Sequence, residues 1–154
     1  MRLEPVVAGT LGLFLLGAGL VLGGPIVAKS TVATVEPLTR IEASGRSVYE
    51  AQGCIYCHTQ QVRAVSNDIG LGSATDAGRI AREDRPMLGF QRIGPDLSCF
   101  GDRQKDAVAL NSYLKNPRAT KPASTMPRLH FLDEDELSGL SSYLLSLTCE
   151  GASK

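Results

Sequence analysis

The pattern of apolar and polar positions changes character soon after the N-terminus. From Pro5 to Ala28 the chain runs 24 residues without a charge, with Arg2 and Glu4 on one side and Lys29 on the other. As a helix, such a run reaches across a hydrocarbon core of about 30 Å, so residues 1–28 are predicted to form a transmembrane anchor. A cleaved secretory signal has an apolar region of about 7 to 15 residues ending in a small-x-small site. This run is longer, and Ile26-Val27-Ala28 is a poor match to such a site. Glycines at 9, 12, 17, 19, 23 and 24 give the helix small-residue faces, and Gly19 and Gly23 stand at the spacing that lets membrane helices approach closely. Residues 29–41 are polar and β-branched around Pro37, which reads as an extended neck.

Beyond the neck, apolar residues recur at helical spacing in three places. Ser44 to Gln52 predicts a short helix, capped by Ser44, with Val48 and Tyr49 facing inward and Gly53 ending it. Gly45 shares a face with Tyr49, four residues on, and permits another helix to cross there. Asp102 to Lys115 predicts a second helix with Val108, Leu110 and Leu114 inside, stopped by Asn116-Pro117. Asp133 followed by Glu136 opens a third with a capping box, and Leu137, Leu140, Leu144 and Leu147 line its apolar face before Gly151. The fold class is therefore all-α: an anchor over 1–28, a neck over 29–41 and a domain of three to four short helices over 42–154.

Charge narrows the function classes. The 154 residues carry 16 basic and 16 acidic side chains, a formal net charge of zero, which gives no electrostatic footprint for nucleic acid. The chemistry is stated at Cys54-Ile55-Tyr56-Cys57-His58. Two cysteines separated by two residues and followed at once by histidine suit covalent attachment of haem c, each thiol adding to one vinyl group and His58 ligating the iron. A zinc site would need a second Cys/His pair, and Cys99 and Cys149 stand alone. One such motif means one haem c, with the short helices packed around it. Haem c is attached outside the cytoplasm, so the anchor runs from inside to outside. For the sixth ligand, Met126 in Thr125-Met126-Pro127 leads, on a loop stiffened by Pro122 and Pro127; Met87, His130 and Met1 are the rivals.

Gly45-x-x-x-Tyr49-x-x-x-x-Cys54-x-x-Cys57-His58, Gly94-Pro95-Asp96-Leu97, Met126-Pro127 and the final Tyr143-Leu144 helix together resemble class I cytochromes c of bacterial type. The resemblance implies that the Pro95 carbonyl accepts a hydrogen bond from His58 and that Leu97 packs on the haem edge. His58-Thr59-Gln60-Gln61-Val62-Arg63, the stretch from Asp84 to Leu97, Tyr113-Leu114-x-Asn116-Pro117-Arg118 and Ser124-x-Met126-Pro127 are more narrowly similar to the monohaem subunit II of cbb3-type cytochrome c oxidases. That family implies an electron-transfer subunit without its own catalytic site. It sits in the bacterial cytoplasmic membrane with its haem domain on the periplasmic side, beside a haem-copper catalytic subunit and further cytochrome subunits. This chain departs from the family in having a glycine-rich polar stretch, Ile69 to Ile80, where that family is aromatic-rich. Met126-Pro127-x-x-His130 also resembles the cytochrome c subunit of nitric oxide reductases, and a free-standing anchored shuttle is a further reading.

The connection from His58 to Gly94 is long for so small a domain, and such loops are usually functional or disordered. Arg63 and Arg92 within it are expected at the haem propionates, whereas Arg79 and Arg82 are expected on a solvated surface. With two cysteines committed to haem, Cys99 and Cys149 remain, in an oxidising compartment, and are expected to pair. Closing the loop of 49 intervening residues is worth about 3 to 4 kcal/mol by chain entropy. The holoprotein, denatured without reductant, should then titrate no free thiol; two free thiols would exclude the bridge.

Overall fold

The computed structural model describes residues 4–29, 36–75 and 77–149. The chain divides into two compact units, with the boundary between residues 34 and 35. The described residues form seven α-helices and two 3-10 turns, and no strand occurs among them.

The first unit is helix α1, Glu4–Lys29. Its Glu4–Gly23 stretch, 20 residues with a mean hydropathy of 2.2, is long and apolar enough to cross a membrane. The Thr10 hydroxyl donates to the carbonyls of Val6 and Val7 at 3.1 and 3.0 Å, which satisfies a polar group that lipid cannot. Of the expected neck, residues 30–35 lie outside the described residues, 36–39 have no regular structure, and Arg40 already belongs to the next helix.

That helix, α2, spans Arg40–Ala51 and so starts four residues before the expected Ser44. Thr39 caps it instead. The Thr39 side chain accepts the Glu42 N–H and the Glu42 carboxylate accepts the Thr39 N–H at 2.7 Å, a reciprocal box that satisfies two otherwise unpaired donors. Gly53, at φ 66°, takes the left-handed conformation that ends the helix and turns the chain directly into a 3-10 turn, Cys54–Tyr56.

The C-terminal helix, α7, spans Glu134–Ser146 behind the expected Asp133–Glu136 capping box. It crosses α2 at a pair of glycines. A Cβ on Gly45 would overlap the Gly139 carbonyl, and one on Gly139 would lie 3.2 Å from the Gly45 nitrogen. One turn beyond the contact on each helix, Tyr49 and Tyr143 meet edge to face, ring centroids 5.5 Å apart, both fully buried. The helix crossing expected at Gly45 is thus made by α7, and both helices carry the same Gly-x-x-x-Tyr spacing.

Between them the segment expected as one helix is two: α4, Phe100–Arg103, and α5, Ala107–Lys115. The break comes from side chains that compete for backbone donors. Gln104 accepts the N–H groups of Lys105 and Asp106, and Asp106 caps α5 by accepting those of Val108 and Ala109 at 2.9 and 3.0 Å. Val108 is 76% exposed, not inside as expected, because it stands two residues, hence half a turn, from the buried Leu110. A short helix α6, Pro117–Thr120, follows with proline at its first position. With α3, Ala77–Ala81, the domain has more helical pieces than the three or four expected, since runs this short carry no readable period.

The core joins Tyr49, Leu97, Leu110, Leu114, Leu137, Leu140, Tyr143 and Leu144. Cys99 and Cys149 are disulfide-bonded with a Cα separation of 5.0 Å, so α4 is tied to the end of α7. Gly101 of α4 packs against the Leu145 carbonyl, where a Cβ would not fit, and its N–H donates to the Leu147 carbonyl at 2.8 Å.

Replacing Gly45 with alanine should cost about 3 kcal/mol or more, the upper end for overpacking, because the contact is backbone on backbone and no rotamer relieves it. A denaturant melt of the holoprotein checks this; an unchanged midpoint would mean that the helices do not cross here.

Candidate functional site

The Cys54–His58 motif sits at the end of α2, where the Cys57 and His58 N–H groups both donate to the Cys54 carbonyl, at 3.1 and 2.9 Å. Cys54 and Cys57 are the thiols outside a disulfide among the described residues, and both are half-buried. Burial pushes the Cys54 thiol up to about 11, so it is held neutral.

His58 is gripped from one side. Its Nδ1 donates to the Pro95 carbonyl at 2.8 Å, and a carbonyl can only accept, which fixes the tautomer and leaves the Nε2 lone pair for a metal. Gly94 lies against the imidazole so closely that a Cβ there would overlap the ring. Leu97 is buried in the core, and Cys54, Ile55 and Met126 pack against the same apolar cluster. A half-buried thiol and a half-buried thioether on one apolar cluster, with a second thiol and an oriented imidazole three and four residues after Cys54, make a donor set suited to a haem. The two rival methionine and histidine positions differ in setting. Met87 is buried in the core, and His130 is exposed and stands edge-on to Phe131, with centroids 5.9 Å apart. Met1 lies outside the described residues.

The arginines of the long loop are organised by carboxylates. Asp68, 1% exposed, accepts the Arg63 N–H at 2.8 Å, the Arg63 side chain at 3.1 Å twice, and Arg92 at 2.7 and 3.0 Å. Arg92 also donates to the Thr59 hydroxyl at 2.7 Å and the Gln61 carbonyl at 2.6 Å. The two arginines hold the Asp68 carboxyl well below the usual carboxylate range, through hydrogen bonds from Arg92 first and Arg63 second.

Arg79 and Arg82, expected on a solvated surface, are bonded to the C-terminal helix region. Arg82 donates to the Ser146 carbonyl at 2.9 Å and the Glu36 carbonyl at 3.1 Å, and pairs with Glu42 at 3.4 Å. Arg79 donates to the Ser98 carbonyl at 3.2 Å and to the Cys149 sulfur at 2.8 Å. Glu83 completes this brace by pairing with Arg46 at 2.6 Å and accepting the Tyr143 hydroxyl at 2.9 Å. Burial first, and the Glu83 charge next, hold the Tyr143 hydroxyl protonated far above its ordinary range. Sequence reading missed Thr59, Asp68, Glu83, Asp96 and Tyr143 as organisers. The one available signal was arithmetic: arginines in so long a loop call for acids, and Asp68 and Glu83 are among the few nearby.

A helical domain that opens with two thiols and an oriented imidazole, preceded by one apolar helix, defines a cytochrome c-like haem domain with a candidate membrane anchor. The family described as "Cytochrome C oxidase, mono-heme subunit/FixO" matches residues 12–144, and the chain belongs to that family. A mono-haem family implies one haem. The chain is also 26% identical over 112 residues to "Cytochrome c oxidase subunit 2" of Alkalihalophilus pseudofirmus, a match covering 73% of this chain and 27% of that protein. The chain thus spans about a quarter of that relative's length.

The Asp68 pairing has a pH signature. Because its folded value is depressed, the stabilisation is fully present above the unfolded carboxylate value of about 3.9 and is lost as pH falls below that value toward the folded one. Asp68→Asn should therefore be less stable than wild type at neutral pH, and the two should converge in strong acid. Chemical denaturation across that range checks it; a constant gap down to the lowest pH would remove Asp68 as the titrating group.

Proposed function

We propose that this chain is the electron-transfer subunit of a cbb3-type terminal oxidase, carrying one covalent haem c and passing single electrons from a donor to a haem-copper catalytic subunit, with no catalytic site of its own. The observation that supports this most is the His58–Pro95 pair at 2.8 Å within a chain whose family match runs from inside the apolar helix into the C-terminal helix. A match that begins at residue 12, within α1, favours that helix as a retained single-pass anchor. The haem domain would then lie on the periplasmic side, where haem c is attached.

Bound here, haem supplies a one-electron couple between ferric and ferrous iron. Cys54 and Cys57 would hold the group through thioether bonds, and His58 Nε2 and Met126 Sδ would supply the protein's ligands to the iron. Met126 is favoured because it is half-buried on a loop and its N–H donates to the Ser124 hydroxyl at 3.2 Å, which sets the loop's turn. Leu97, buried in the same apolar cluster, would pack on the haem edge. For the propionates, Arg63 has the more open side chain, 54% exposed against 25% for Arg92. With both His58 and Met126 as ligands the iron would have no open position, which argues against gas binding there.

Met126→Ala should keep the haem attached, as intact mass under denaturing conditions would show, while lowering the reduction potential and stopping electron delivery to the oxidase in membranes. A variant with the wild-type potential and spectrum would exclude Met126 as the ligand and send the search to Met87 and His130.

A further inference from the structure

Resting on the reading of His58 as the iron's histidine, we propose that Thr59, Arg92 and Asp96 form a positioning device that aims the Pro95 carbonyl at His58 Nδ1 and so tunes the iron. The ring contact depends on two strands of irregular backbone, 57–61 and 92–97, lying side by side. Backbone bonds bracket it, from the Gly94 N–H to the Cys57 carbonyl at 2.8 Å and from the Leu97 N–H to the Thr59 carbonyl at 2.7 Å. These hold the two segments together at Gly94 and Leu97, on either side of the peptide plane between Pro95 and Asp96, and neither bond is made by that plane. The Pro95 carbonyl belongs to that plane, so its direction is fixed only if Asp96 is fixed.

Asp96 is held at every oxygen. Its Oδ2 accepts the Thr59 hydroxyl at 2.5 Å and the Gln61 N–H at 3.2 Å, its Oδ1 accepts the Ser98 N–H at 2.9 Å, and its carbonyl accepts Arg103 Nη2 at 2.7 Å. Thr59 and Asp96 are 7% and 4% exposed, so the bond between them is shielded from water. Arg92 closes the frame: its Nε donates to the same Thr59 hydroxyl at 2.7 Å and stands 3.7 Å from Asp96 Oδ2, while Asp68 holds its far edge. The Thr59 hydroxyl therefore accepts from Arg92 and donates to Asp96, a relay that only a hydroxyl supplies. It is also the residue next to His58, as Asp96 is the residue next to Pro95. Both partners of the ring contact are fixed through their immediate neighbours.

The consequence for the iron has a sign. The Nδ1–H···O=C bond makes the imidazole a stronger donor and so favours ferric iron. Loosening it raises the reduction potential, whereas losing a cation that merely neutralised a propionate would lower it.

The test uses the holoprotein and charge-conserving variants. Thr59→Val removes the relay without changing any charge, and Arg92→Lys keeps the charge but loses the planar fork. Each should raise the reduction potential and speed solvent exchange of the His58 ring N–H, followed by NMR, about fivefold to tenfold, the equivalent of one net hydrogen bond. If Thr59→Val does not fold, Arg92→Lys decides alone. Wild-type potential and exchange in the folded variants, with only a lower melting temperature, would overturn the proposal and leave the frame as simple bracing. Retention of the wild-type iron spectrum by His58→Ala would instead overturn the ligand reading, and the proposal with it.

Discussion

The contact between Gly45 and Gly139 is the constraint on which the haem domain depends. Two helices can touch backbone to backbone only where neither has a Cβ, and this sets both their separation and their register. Once they are set, Tyr49 and Tyr143 fall opposite each other one turn along and are fully buried. The end of α2 then has a defined place, and Gly53 turns the chain there into the two thiols and the histidine. The motif is positioned by helix packing and not by its own local structure.

The described part of the long connection from His58 to Gly94 is held in a second way. Besides burying Val62 and Met87, it is closed by carboxylates at two points. Asp68 joins Arg63 and Arg92 beside the haem motif, and Glu83 joins Arg46 and Tyr143 beside the helix crossing. Each is a multiple charge-assisted contact at a shielded carboxylate, the kind that survives salt better than an exposed pair. Arg82 and Arg79 extend the second clasp to the last turn of α7 and the disulfide. The loop thereby links the haem side of the domain to its C-terminal helix.

Much of this was legible from residue spacing, and the failures follow a physical pattern. The Asp133–Glu136 box is written in a short span where local geometry decides the outcome, and the need for a helix crossing at Gly45 is legible from its place on one face with Tyr49. Thr39–Glu42 is an equally plain capping box, and it, not Ser44, opens α2. The break between α4 and α5 depends on Gln104 and Asp106 competing for backbone donors, which hydrophobic period does not register. The partners of Arg79, Arg82 and Arg92 lie up to 70 residues away in sequence, and a charge carries no address. Only the fold brings such groups together.

Together these features describe a helical domain of a family described as a mono-haem oxidase subunit, with an apolar helix ahead of it in sequence, for which we propose a role in electron transfer. The most direct measurement is to purify the full chain from its native membrane in mild detergent by a tag and record the reduced-minus-oxidised spectrum of the eluate. The expected result is a c-type band accompanied, at a fixed ratio, by the bands of the oxidase's own non-covalent haems, with oxygen-reducing activity in the same fraction. A c-type band alone, with the oxidase left behind in the flow-through, would contradict the assignment of this chain as an oxidase subunit.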